Sequence, residues 1–120
     1  MPSKPNVTII IPYKKNLRYL FSALKSVFNQ TFKNYLINII YDNENKKDLY
    51  EIKKFLKKEN LKKKNLIKIL VNKKNIGAGY SRNKGINKCK TKYIAFLDSD
   101  DRWTKDKLKS QIYFMEKKKI

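Results

Sequence analysis

A chain of 120 residues, 41% of them hydrophobic, has room for a single domain over 1–120 with one core, and enough apolar material to build it. The absence of histidine removes imidazole acid–base chemistry and most zinc sites, and the lone Cys89 excludes an intrachain disulfide. The formal net charge of +20 raises the question of a polyanion partner. Lysine is spread over every segment, and Arg18, Arg82 and Arg102 are the only arginines, which argues against a nucleic-acid surface of arginines interleaved with aromatics. Abundant Lys, Asn and Ile also suit AT-rich coding, and a basic face toward an anionic membrane surface is the other reading. No run of about 18 apolar residues and no signal-peptide pattern is present, so the expectation is a cytoplasmic protein without a span.

Val7 to Ile11 is a continuous β-branched run that suits a strand buried on both faces and stopped by Pro12. Leu17, Leu20, Phe21, Leu24, Val27 and Phe28 then fall at helical spacing, predicting an amphipathic helix that ends near Gln30. Tyr35 to Tyr41 reads as a second strand closing on Asp42. Asp48, with Glu51 three residues on, resembles a capping box for a second helix whose stripe is Leu49, Ile52, Phe55 and Leu56. The lysine-rich stretch from Lys57 to Lys64 reads as a solvated helix end and loop. Leu66 to Val71 is a third strand, and a helix from about Ala78 to Cys89 follows. A fourth strand runs from Lys92 to Leu97. Leu108, Ile112 and Met115 mark a last helix, with Thr104 as a plausible N-cap.

Strands separated by helices imply βαβ units and a mostly parallel sheet covered on both faces, a three-layer α/β/α protein. Ligands of such sheets bind beyond the carboxyl ends of the strands. Pro12 and Tyr13, Asp42, and the run Asp98-Ser99-Asp100-Asp101 all fall at those ends.

Asp98, Asp100 and Asp101 repel one another unless a cation or donor offsets them. A strand end that projects Asp98 and Asp100 into one crevice suits a hard divalent ion on a diphosphate. The alternative is that these acids cap the next helix, Asp101 in particular. Gly77 and Gly79 permit close backbone approach, and free amides at a helix start suit an anion. Arg82, one turn in, reaches toward a base or a diphosphate, whereas Gly85 reads as a helix–sheet packing contact. Asp42 is placed to accept a hydrogen bond from a base, or else to start an Asx-type turn. Tyr13 is placed to stack on a base, or is an ordinary surface tyrosine. Cys89 reads as a buried, inert thiol.

Five blocks in order carry a resemblance: Val7 to Tyr13, Ser26 to Phe32, Ile39 to Asp42, Asn75 to Gly85, and Tyr93 to Asp101. Together they resemble the family 2 inverting glycosyltransferases of GT-A fold, over nearly the whole chain. The resemblance implies a nucleoside-diphosphate-sugar donor, commonly a UDP-sugar, bound with Mn²⁺ or Mg²⁺, and an acceptor that is a cell-surface glycan or lipid-linked sugar. It implies donor contacts at Pro12, Tyr13, Asp42, Gly77, Arg82, Asp98 and Ser99, with Asp42 reading the base. It implies Asp98 and Asp100 at the metal. It also implies that this is the N-terminal, nucleotide-sugar-binding part of such a protein, truncated relative to the family. The carboxylate that deprotonates the acceptor is then expected beyond residue 120, and a donor-binding module that transfers nothing is the alternative. Two departures stand out. Tyr41 replaces the first of the family's usual paired acids, and Tyr13-Lys14-Lys15 replaces a threonine, an aromatic and an asparagine.

Overall fold

The computed structural model describes residues 5–59 and 66–118, in which strands and helices alternate throughout. The elements are β1 (Val7–Tyr13), α1 (Leu17–Phe28), β2 (Tyr35–Tyr41), α2 (Lys47–Glu59), β3 (Ile67–Val71), α3 (Ala78–Asn87), β4 (Tyr93–Phe96) and α4 (Lys107–Lys117). All strand pairs are parallel, in the order β3-β2-β1-β4. Each parallel pair needs a crossover, which the intervening helices supply.

The two faces of the sheet divide by parity. Val7, Ile9, Ile11 and Tyr13 of β1, with Tyr35, Ile37, Ile39 and Tyr41 of β2, share one core with α1, Ile52 of α2 and Leu108 of α4. Phe21 and Phe55 stack with ring centroids 4.1 Å apart and tie α1 to α2. On the opposite face α3 lies against β1, so closely that a Cβ added at Gly85 would sit 2.7 Å from Ile10 Cγ2. Ile10 itself is fully buried and has nowhere to yield. We expect Gly85→Ala to destabilise by about 1–3 kcal/mol through overpacking, outweighing the roughly 1 kcal/mol that alanine gains in helix propensity. Gly79→Ala, whose added carbon meets nothing within 4 Å, is the control and is expected to be neutral or stabilising in the same thermal melts.

Several local expectations are corrected. Pro12 does not stop β1, since it pairs with Ile40 inside the strand. The amide of Leu97 donates to the carbonyl of Ile10, so Ile10 points its backbone at β4, and alternation puts Pro12 on that same side. Paired residues of β4 end opposite Ile10, leaving no ladder for Pro12 to break. Asp48 is not an N-cap: it lies inside the first turn of α2, and the Lys47 amide donates instead to Asn45 Oδ1 at 2.8 Å. Asp101 and Thr104 cap nothing either, because α4 begins at Lys107 after Asp106. Cys89 lies just past α3, half-buried, with its Sγ 3.1 Å from the Gly85 carbonyl. Lys57 and Lys58 close α2 as exposed residues, while residues 60–64 of the predicted loop lie outside the described residues.

Candidate functional site

A crevice of about 430 Å³ opens at the carboxyl ends of β1, β2 and β4. It brings together Pro12, Tyr13, Asp42, Arg82, Asp98, Ser99 and Asp100, seven of the eight residues that sequence reading had singled out. A larger groove of about 600 Å³ runs between β4 and α4, but no carboxylate lines it. The chemistry-bearing side chains converge on the smaller opening.

Asp42 is 4% exposed and is the most heavily hydrogen-bonded of these residues. Its Oδ1 accepts from the Ile76 amide at 2.8 Å and from Asn72 Nδ2 at 3.0 Å, and its Oδ2 accepts from the Gly77 amide at 2.9 Å. Burial alone would raise its pKa, yet these three donors and the charge of Lys14 outweigh burial and hold the carboxyl below the usual range. It therefore starts no Asx turn; it fastens the segment between β3 and α3. The eighth residue, Gly77, takes a different part from the one expected. Its φ of +89° is a conformation that glycine adopts freely, and its amide is already given to Asp42. The anion held by this amide is the protein's own carboxylate.

Tyr13 is a second correction. Its side chain is only 1% exposed, so no ring face is open to a base. The ring lies 5.7 Å from that of Tyr41, and its hydroxyl donates to Asp48 Oδ2 at 2.7 Å. Burial first, then that bond, raise its pKa far above the ordinary phenol value. The Tyr41 hydroxyl donates in turn to the Asn45 carbonyl. Tyr41 and Tyr13, one residue from each of the two departures, thus form a buried pair beneath the start of α2, whereas Lys14 and Lys15 are exposed.

The acidic residues gather where β4 ends. The Asp101 amide donates to the Asp98 carbonyl at 3.0 Å, and this turn brings a carboxylate oxygen from each of Asp98, Asp100 and Asp101 within 4.8 Å of one another. All three are exposed. Hard oxygen donors at this spacing fit a hard divalent cation such as Mg²⁺ or Mn²⁺. Arg82 reaches across from α3, its guanidinium 3.2 Å from Asp98 Oδ1. Both partners are more than a third exposed, so the pair contributes little to stability.

Two features escaped sequence reading. Lys14, Lys15 and Tyr19 also line the crevice, and Tyr19 is 52% exposed. The available signal was an aromatic lying off the apolar stripe of α1. The other is Gln30, fully buried, whose Nε2 donates to the Thr104 carbonyl at 2.6 Å while its Oε1 accepts from the Leu108 amide at 3.0 Å. Nearby, Ser26 Oγ accepts from the Trp103 amide at 3.1 Å, and the Thr31 amide donates to the Lys105 carbonyl at 2.9 Å. The block Ser26 to Phe32 is therefore the clamp that holds the segment following the acidic cluster.

The fold recurs in solved structures. Residues 1–349 of S. aureus TarS in complex with UDP-GlcNAc superimpose with a TM-score of 0.78 at 22% identity, covering 93% of this chain and 31% of that one. The Pyrobaculum calidifontis mannosyltransferase PcManGT, in complex with GDP-Man and Mn²⁺, gives 0.72 at 12% identity, covering 84% and 29%. The architecture is thus the three-layer GT-A glycosyltransferase fold. The profile of the Glycosyl transferase family 2 matches residues 8–120, and the chain belongs to that family. An uncharacterized glycosyltransferase of Methanocaldococcus jannaschii is 38% identical over 114 residues, covering 94% of this chain and 38% of the relative. The Escherichia coli enzyme WfaP, named as a UDP-Glc:alpha-D-GlcNAc-diphosphoundecaprenol beta-1,3-glucosyltransferase, is 35% identical over 116 residues, covering 95% and 43%. The chain thus spans about two-fifths of the length of these curated relatives.

Proposed function

We propose that this chain binds the donor of a glycosyl transfer, a UDP-sugar, together with Mn²⁺ or Mg²⁺ held by Asp98 and Asp100. The observation that carries the reading is the cluster of three carboxylates within 4.8 Å of one another, with Arg82 beside it and Asp42 across the crevice at the end of β2. In this reading Asp42 takes the base, Arg82 and the lysines Lys14 and Lys15 face the diphosphate, and Pro12 and Ser99 shape the walls. Tyr19, rather than Tyr13, is the aromatic with an open face for stacking. When bound, the metal would neutralise charge on the departing nucleoside diphosphate.

A carboxylate accepts about four hydrogen bonds in total, and Asp42 already holds three within the protein. One acceptor position remains. Uracil offers a single imide N–H there, whereas guanine presents two adjacent donors, which supports a uridine nucleotide over a guanosine one. The acceptor is proposed to be a glycan or a lipid-linked sugar, on the strength of the diphosphoundecaprenol substrates named for WfaP and WfgD of Escherichia coli. With a net charge of +20, a lipid-linked acceptor would be met at an anionic membrane surface, on its cytoplasmic face. No helix among the described residues is long and apolar enough to cross a membrane.

Inverting transfer requires a base for the acceptor hydroxyl. Asp106 accepts from the Thr31 hydroxyl at 2.6 Å and Glu116 pairs with Lys92 at 3.0 Å, and neither lines the crevice. The proposal therefore gives this chain donor and metal binding, and gives acceptor activation to a group outside residues 1–120. Calorimetric titration with UDP, with and without Mn²⁺, tests the reading. Binding is expected to need the metal and to weaken at least about tenfold in Asp100→Ala. If neither UDP, GDP nor TDP binds at any metal concentration, the proposal is wrong for this polypeptide.

A further inference from the structure

Behind Asp42 lies a chain of polar side chains that the proposed donor site does not use. Asn72 is 2% exposed and Ser81 fully buried, and neither would be placed there by an apolar core. Asn72 Nδ2 donates both to Asp42 Oδ1 at 3.0 Å and to Ser81 Oγ at 3.2 Å. Asn72 Oδ1 accepts from Lys84 Nζ at 2.7 Å. Lys84 also lies 3.4 Å from the Val71 carbonyl, so its ammonium is drawn to the end of β3. Lys84 itself does not line the crevice.

The chemistry of the three groups leaves one arrangement. An ammonium only donates, an ionised carboxylate only accepts, and an amide does one at each end. Asn72 lies between Lys84 and Asp42, so its oxygen must face the lysine and its NH₂ the aspartate. Without the ammonium, the amide oxygen loses its buried partner, and Asn72 is held through its NH₂ group alone, by Asp42 and Ser81. An amide fixed at one end lets Asn72 shift, and the Asp42 oxygen that it holds shifts with it. The amides of Ile76 and Gly77 would still hold Asp42 in part, so the consequence is misorientation rather than loss.

We propose that Lys84 and Asn72 are positioning residues that orient the Asp42 carboxylate, so that a lysine outside the crevice sets how sharply the site selects its nucleobase. The inference rests on the reading of Asp42 as the group that takes the base. Selectivity follows from the acceptor position left free on Asp42. Uracil brings its imide N–H to that position, while cytosine has a lone pair at N3 and can offer a donor only from its 4-amino group, which needs a shifted base.

The test compares UDP and CDP affinities, in the presence of Mn²⁺, for the full 120-residue chain and for Lys84→Met, which keeps the aliphatic stem and removes the donors. Wild type is expected to prefer UDP. Lys84→Met is expected to lower the UDP-to-CDP affinity ratio about tenfold, chiefly through UDP. A role confined to stability would weaken both nucleotides together and leave the ratio unchanged, and that result would overturn the inference while leaving Asp42 as the base reader. A wild type with no preference between UDP and CDP would overturn the reading of Asp42 and this inference with it. If thermal melts show Lys84→Met unfolded, Ser81→Ala tests the same amide from its other side. A lowered ratio there supports the relay, and an unchanged ratio overturns it.

Discussion

Gln30→Leu is expected to destabilise the fold strongly although it makes a buried site more apolar. Leucine fills a similar volume but leaves the Leu108 amide, and in part the Thr104 carbonyl, buried without a partner. Each orphaned buried group costs about 1–3 kcal/mol, so a total loss of roughly 2–4 kcal/mol is expected. That is a large share of the roughly 5–15 kcal/mol by which a domain is stable. Urea unfolding reads the effect directly. The same clamp holds residues 103–108 beside the acidic cluster, so metal-dependent UDP binding is expected to fall with it. A loss below about 1 kcal/mol would mean that the segment is held by the packing of Leu108 and Trp103 instead.

Asp42→Asn carries the second large effect, and its signature is pH dependence. The substitution keeps the shape but places an NH₂ group where a carboxylate oxygen now accepts from a backbone amide. Hydrogen bonds to a charged group contribute about 1.5–3 kcal/mol, so Asp42→Asn is expected to lower Tm by on the order of 10 °C at pH 7. Because the folded-state pKa of Asp42 lies below its ordinary value, its contribution is complete above about pH 4 and is lost as pH falls through the carboxylate range. The difference in stability between wild type and Asp42→Asn should therefore shrink on acidification. A difference that is constant from neutral pH down to pH 3 would show that the ionised form is not what fastens the loop. The expected loss of uracil selectivity at neutral pH is a separate readout, and it bears on the base rather than on the loop.

The alternation of elements was legible in the sequence because it is written in short-range periodicity. The β-branched run of β1 read as a strand buried on both faces, and Val7, Ile9, Ile10 and Ile11 are all buried. β2 was predicted at its observed limits of Tyr35 and Tyr41, and β3 and β4 to within a residue at each end. The strand ends also marked the crevice, since in a parallel sheet every carboxyl end faces the same side. Gly85 was read correctly as a packing contact: it lies in the last turn of α3, against Ile10.

What the tertiary structure alone decided is where each polar group finds its partner. The donors to Asp42 come from residues 30 to 35 positions away, and the acceptors and donors of Gln30 from positions 74 and 78 residues on. Nothing in local spacing encodes such pairs. A hydrophobic residue needs only the right face, and periodicity reports the face. A buried polar residue needs one particular atom within about 3 Å, and only the packed chain determines which atom that is. For the same reason Tyr13 was read as stacking on a base or as an ordinary surface tyrosine, while it is half of a buried pair with Tyr41. A strand end shows where a side chain starts, and the helix packed above it decides whether that side chain meets solvent, a ligand or another tyrosine.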